Sequence, residues 1–150
     1  MEPEVYDGIR YYLKSMDEIE SCKNTGSMWM WKLLVFDGVL SFPIDYEFGF
    51  RQLERWRNSP NKKIQAQAYA ILAGISFEGK YGAKQDYELA FKYNCLADEL
   101  DSAGTDYITG YCYLYGLGTD KNLEKARQYI LKSANDGIEP AKQLKDRMGW

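Results

Sequence analysis

Histidine is absent from all 150 residues of this chain. That absence removes the commonest general base and the commonest metal ligand together. Cysteine is scarce. The three thiols, Cys22, Cys95 and Cys112, are odd in number and include no C-x-x-C pair. Without histidine, three scattered cysteines cannot build a zinc site unless carboxylates join them, and a cysteine nucleophile has no activating partner nearby in sequence. They read as reduced, mostly buried thiols of a cytosolic protein, not as a disulfide framework. Long apolar runs are missing too: the most apolar stretch, Met28 to Phe36, is broken by Lys32 and is far too short to span a bilayer. The start, Met1-Glu2-Pro3-Glu4-Val5, has neither the basic nor the apolar region of a secretory signal. Positive charge is in deficit, with 19 Lys and Arg against 22 Asp and Glu, a net charge of −3. This balance argues against binding a phosphate backbone and is compatible with a basic protein partner.

What the chain does have is self-similarity. Asp45-Tyr46-Glu47-Phe48-Gly49-Phe50 returns as Asp86-Tyr87-Glu88-Leu89-Ala90-Phe91, and more weakly as Asn122-Leu123-Glu124-Lys125-Ala126-Arg127. Phe36, Phe77 and Tyr113 recur in the same register, and glycines follow each of them: Gly38, then Gly79 and Gly82, then Gly116 and Gly118. A period of roughly 20–50 residues marks a solenoid, in which no unit buries its apolar face alone. Residues 4–22 place Val5, Ile9, Tyr12, Leu13, Met16 and Ile19 at helical steps, predicting an N-terminal capping helix. Three helix pairs follow. The first helix of each pair (A) is expected at 27–37, 62–78 and 104–115, the second (B) at 46–58, 87–101 and 123–135, and a last helix at 139–147. Asp45, Asp86 and Asn122 are N-cap types for the B helices, each with Glu two positions on. The glycines suit the A-to-B turns. Gly49, Ala90 and Ala126 are small at one aligned position, where two helices must come close.

The arrangement Ala68…Gly74-x-x-Phe77…Gly79…Gly82…Asp86…Ala90…Ala97, then Gly110-x-x-Tyr113-x-x-Gly116-x-Gly118…Asn122…Lys125-Ala126, resembles the Sel-1-like repeat family, relatives of tetratricopeptide repeats. The third unit matches best and the second well. The first is degenerate, with Leu33 in place of the helix glycine and Gly49 in place of the usual alanine. The resemblance implies an all-α solenoid of about three antiparallel helix-pair repeats used for protein interaction, usually without catalysis. It implies one domain over 1–150: a cap at 1–26, repeats at 27–57, 62–103 and 104–137, and a cap at 138–150. The family includes bacterial signalling adaptors, secreted virulence factors and immunity proteins paired with toxins.

Two patterns mimic catalytic sites. Gly74-Ile75-Ser76-Phe77-Glu78-Gly79-Lys80-Tyr81 satisfies G-x-x-x-x-G-K, yet Tyr81 replaces the Ser or Thr that ligates Mg²⁺, and no strand precedes it. Asp45/Glu47 and Asp86/Glu88 are formal carboxylate pairs for a small hydrolase, but their recurrence at capping positions favours a structural role.

In related helix-pair solenoids the A helices line the concave surface. The resemblance therefore points to Met28, Lys32, Val35, Tyr69, Ser76, Thr105, Thr109 and Cys112 as groove residues, with Tyr111 and Tyr115 at its rim. Trp31 is assigned to the core. Thirteen Tyr and four Trp are many for this length; most are expected as core spacers, with a minority at a partner surface. The expectation is a cytoplasmic, non-catalytic module, monomeric when free, needing no cofactor or metal and binding neither nucleic acid nor membrane. Its partner would be a protein. Because the chain shows no tail and no second domain, a bacterial immunity or inhibitor protein against a toxin or effector is favoured over a general adaptor. A carboxylate-dependent hydrolase is the alternative from another class.

Overall fold

A computed structural model describes residues 3–100 and 106–150. The chain is all-α, of the repeat-solenoid class, with no strand among the described residues. The helices are α1 (Pro3–Glu20), α2 (Met28–Asp37), α3 (Tyr46–Arg57), α4 (Lys62–Glu78), α5 (Tyr87–Leu100), α6 (Asp106–Tyr115), α7 (Leu123–Asn135) and α8 (Glu139–Met148). Short 3-10 turns at Thr25–Ser27 and Val39–Ser41 join the first elements. These bounds follow the sequence expectation closely. The expected ends at 101 and 104 fall outside the described residues.

A repeated capping residue, Asp or Asn, explains the regularity. Asp45, Asp86 and Asn122 each accept a hydrogen bond from the backbone N–H three residues on, at 3.0 Å in all three cases, which satisfies one orphan donor of each B helix. The same three residues reach back with their own N–H groups. Asp45 donates to the Val35 carbonyl at 3.2 Å, Asp86 to Ser76 at 2.8 Å and Asn122 to Tyr113 at 2.9 Å. One polar residue per repeat thus starts the B helix and ties it to the last turn of its A helix. At Gly118 the turn needs glycine twice over: φ is +71°, and a Cβ there would lie 2.7 Å from the Cα of Glu88.

The chain divides into two compact units, Met1–Ile71 and Leu72–Trp150. In the first, Trp31 meets Trp56 edge-on at 4.6 Å and Phe36 at 5.8 Å, and all three rings are buried. Helix α1 packs on α2, with Tyr12 stacked on Phe42 at 5.1 Å. Ile19 and Ser15 are buried, whereas Leu13, expected on the inner face, is 60% exposed. In the second unit Leu114, Ala126, Ile130, Ala134, Ala141 and Leu144 form the core, with Tyr107, Tyr111, Tyr113, Ile138 and Trp150 packed against it.

The aligned small position is a close contact. Ala90 and Ala126 are fully buried, and a Cβ on Gly49 would lie 2.5 Å from Phe36 Cζ. The other repeat glycine is not uniform. A Cβ on Gly110 would meet Ile130 Cδ1 at 2.8 Å, while one on Gly74 meets nothing within 4 Å. The repeat register puts Asn94 where Ile130 stands, and its Nδ2 donates to Thr109 Oγ1 at 3.1 Å. A polar link across the repeat interface replaces an apolar contact within the pair.

Candidate partner-binding face

The structure separates the ten sequence-nominated groove residues into distinct groups. Met28, Val35 and Cys112 are fully buried, and Ser76 and Thr109 are 7% and 2% exposed. These five belong to the core and present no surface to a partner, which corrects their assignment to a groove. The physical reason differs by residue. Helix α2 is apolar around its whole circumference and is packed by α1, α3 and both 3-10 turns, so no side of it is set aside as a polar face. Thr109 is buried because its hydroxyl accepts from Asn94, and hydrogen-bonded polar groups are tolerated inside. Burial, and then the neighbouring Cys95, push the Cys112 thiol up to about 11, the opposite of an activated nucleophile. Of the other thiols, Cys22 is exposed and Cys95 is half-buried; only Cys112 matches the expected burial.

Lys32 is half-buried and pairs with Asp37 at 3.7 Å. Tyr69 is half-buried on α4. Thr105 lies outside the described residues. Tyr111 is half-buried and Tyr115 is 50% exposed; both stand on α6.

Tyr111 and Tyr115 belong to a larger array. Tyr107, Tyr111 and Tyr115 recur every fourth residue, so α6 stacks them along one side. Ring centroids are 6.0 Å apart for the first pair and 4.7 Å for the second. Phe77 of α4 meets Tyr111 edge-on at 5.1 Å and Tyr87 of α5 at 5.4 Å. Five rings from three helices therefore form one ladder within the second unit. Burial raises the Tyr107 and Tyr111 hydroxyls above the ordinary tyrosine value, neighbouring tyrosines add to this, and Arg147 on α8 acts against it. Tyr107, Tyr87 and Phe77 were not among the groove residues nominated from the sequence, although the four-residue tyrosine spacing on α6 was a usable signal for Tyr107. Arg147 had none, because its place beside the ladder depends on tertiary packing.

The two catalytic mimics take structural places. Gly74 to Glu78 are the last turns of α4, Gly79 follows with φ +69°, and Lys80 pairs with Glu78 at 2.7 Å. A helix end stands where a phosphate loop would need a strand before it and a helix after it. Asp45 and Asp86 are engaged as caps, and Glu47 pairs with Arg51 at 3.0 Å. No helix among the described residues is long and apolar enough to cross a membrane.

Antiparallel helix pairs, glycine turns and a polar cap repeated in register define an α-helical repeat protein. Within that class, residues 66–97 and 107–138 match the Sel1 repeat model, so the chain carries two Sel1-like repeats. The matched segments coincide with α4–α5 and α6–α7, the pairs that carry the ladder. The stretch 27–57 is outside them, in keeping with Leu33 and Gly49 at its two diagnostic positions. No curated protein and no solved structure shows significant similarity to the chain. Sel1 repeats generally mediate protein–protein interaction and are generally not enzymes.

Proposed function

We propose that residues 1–150 act as one non-catalytic binding module, a bacterial immunity or inhibitor protein that works in the cytoplasm by occupying a cognate toxin or effector. The observation that carries this reading is the partly exposed tyrosine ladder on a Sel1 repeat pair. An inhibitor of this kind needs a surface that is shaped before its target arrives, not reacting groups. Rings already held by edge-on and tilted contacts lose little freedom on binding, which lowers the ordering cost of association. Tyrosine is also enriched among the residues that dominate interface energies. The free protein is taken to be a monomer.

A pull-down from the native host with the tagged full chain tests the reading. One dominant partner is expected, and its expression alone should arrest growth that co-expression of this chain restores. Several unrelated proteins recovered in similar amounts would replace the inhibitor by an adaptor. A turnover abolished by Asp86→Asn would replace both by the hydrolase.

A further inference from the structure

The ladder has a cation at its edge. Tyr107 and Tyr111 pack against the cluster that contains Leu144 of α8, and Arg147 lies one turn beyond Leu144 on the same helix. The guanidinium is exposed and has no ion-pair partner among the described residues. Nor does any hydrogen bond among them engage the hydroxyls of Tyr107, Tyr111 or Tyr115. Among the described residues, Arg147 is the one charged side chain that acts on Tyr107 and Tyr111. The lysines of α8 lie elsewhere. Lys142 and Lys145 line a groove of about 660 Å³ toward α7 together with Lys132 and Asp146, and both Lys132 and Lys142 are paired with carboxylates.

Aromatic faces with idle phenol donors, flanked by an unneutralised guanidinium, match one chemistry. Apolar side chains lie on the rings, and a carboxylate takes the fork of Arg147 and a tyrosine hydroxyl. From this juxtaposition we infer that the ladder docks an acidic peptide segment of a protein partner, with a carboxylate at Arg147 and aliphatic or aromatic side chains over Tyr107, Tyr111 and Tyr115. The inference rests on the protein-binding reading and gives its site a preference that the net charge of the whole chain does not suggest. Local potential decides which group is bound, whereas net charge governs long-range approach.

A phage-displayed library of random dodecapeptides, panned against the full chain, tests it. Enriched peptides should carry Asp or Glu beside large apolar residues. A synthetic peptide of the enriched sequence should lose at least tenfold in affinity on Arg147→Glu and on Tyr115→Ala, the latter at the exposed end of the ladder. It should bind the Lys145→Ala control unchanged, with all variants melting like the parent. Failure to enrich any peptide, enrichment without an acidic preference, or equal binding to Arg147→Glu overturns the inference. If the host partner is nevertheless captured, protein binding stands and only the acidic docking falls. If neither peptide nor partner is recovered, both fall.

Discussion

Two glycine-to-alanine substitutions, Gly49→Ala in α3 and Gly74→Ala in α4, should change stability in opposite directions. Both glycines lie inside helices, where alanine is favoured over glycine by about 1 kcal/mol. At Gly74 the added methyl meets nothing within 4 Å, so Gly74→Ala should stabilise by about 0.5–1 kcal/mol. At Gly49 the methyl would lie 2.5 Å from Phe36 Cζ and 2.7 Å from Cε2. Comfortable carbon contacts are about 3.5–4.0 Å, so the ring must retreat by about 1 Å. It has little room: Phe36 is 1% exposed and is bounded by Trp31 at 5.8 Å, Phe50 at 5.2 Å and Tyr46 at 6.0 Å. Overpacking costs about 1–3 kcal/mol. Set against the helix-propensity gain, Gly49→Ala should destabilise by about 0.5–2 kcal/mol. Urea unfolding followed by far-UV circular dichroism and tryptophan fluorescence reads both, as midpoint shifts at unchanged slope. A stabilised Gly49→Ala, or a destabilised Gly74→Ala, would refute the packing argument.

Ala90→Leu should destabilise by about 1–3 kcal/mol, because Ala90 is fully buried at the position aligned with Gly49; a neutral urea melt would remove that position from the helix contacts. Lys80→Ala should leave stability within about 0.5 kcal/mol, since it breaks an exposed pair with Glu78. ATP with Mg²⁺ should not raise the melting temperature, as any ligand of the native state must by mass action. The Cys112 thiol is raised from 9.0 to about 11, so the folded state holds its proton where the unfolded chain has lost it. That stabilisation is complete below pH 9 and fades as pH rises from 9 to 11, a loss on the order of 2 kcal/mol. Cys112→Ala should show a shallower decline over the same window in pH-dependent urea melts; an identical decline would assign the effect to other groups, such as the raised tyrosines.

Helix positions were legible because their signals are local. A capping Asp or Asn and a glycine turn each act within a few residues, so Asp45, Asp86 and Asn122 fix three helix starts without knowledge of the fold. Met28 and Val35 were misread because α2 is apolar on every side, and periodicity then cannot separate a groove face from a core face. Ser76 and Thr109 were misread for the converse reason. A polar side chain looks external until its partner is known, and the partner of Thr109 is Asn94, fifteen residues away on another helix. Tyr111 and Tyr115 were nominated from the sequence, but the Phe77 contact that ties them to α4 and the Arg147 charge that edges them arise only in the packed structure.

The measurement closest to the central claim is a calorimetric titration of the host partner into the full chain and into Tyr115→Glu, at matched melting temperature. An interface resting on the ladder predicts a loss of about 2 kcal/mol or more, some thirtyfold in affinity, because a charge is placed at the exposed end of a row of rings that the partner must desolvate. Asp120→Lys, in the exposed turn between α6 and α7, should bind as the parent does. Undiminished binding by Tyr115→Glu would contradict the account.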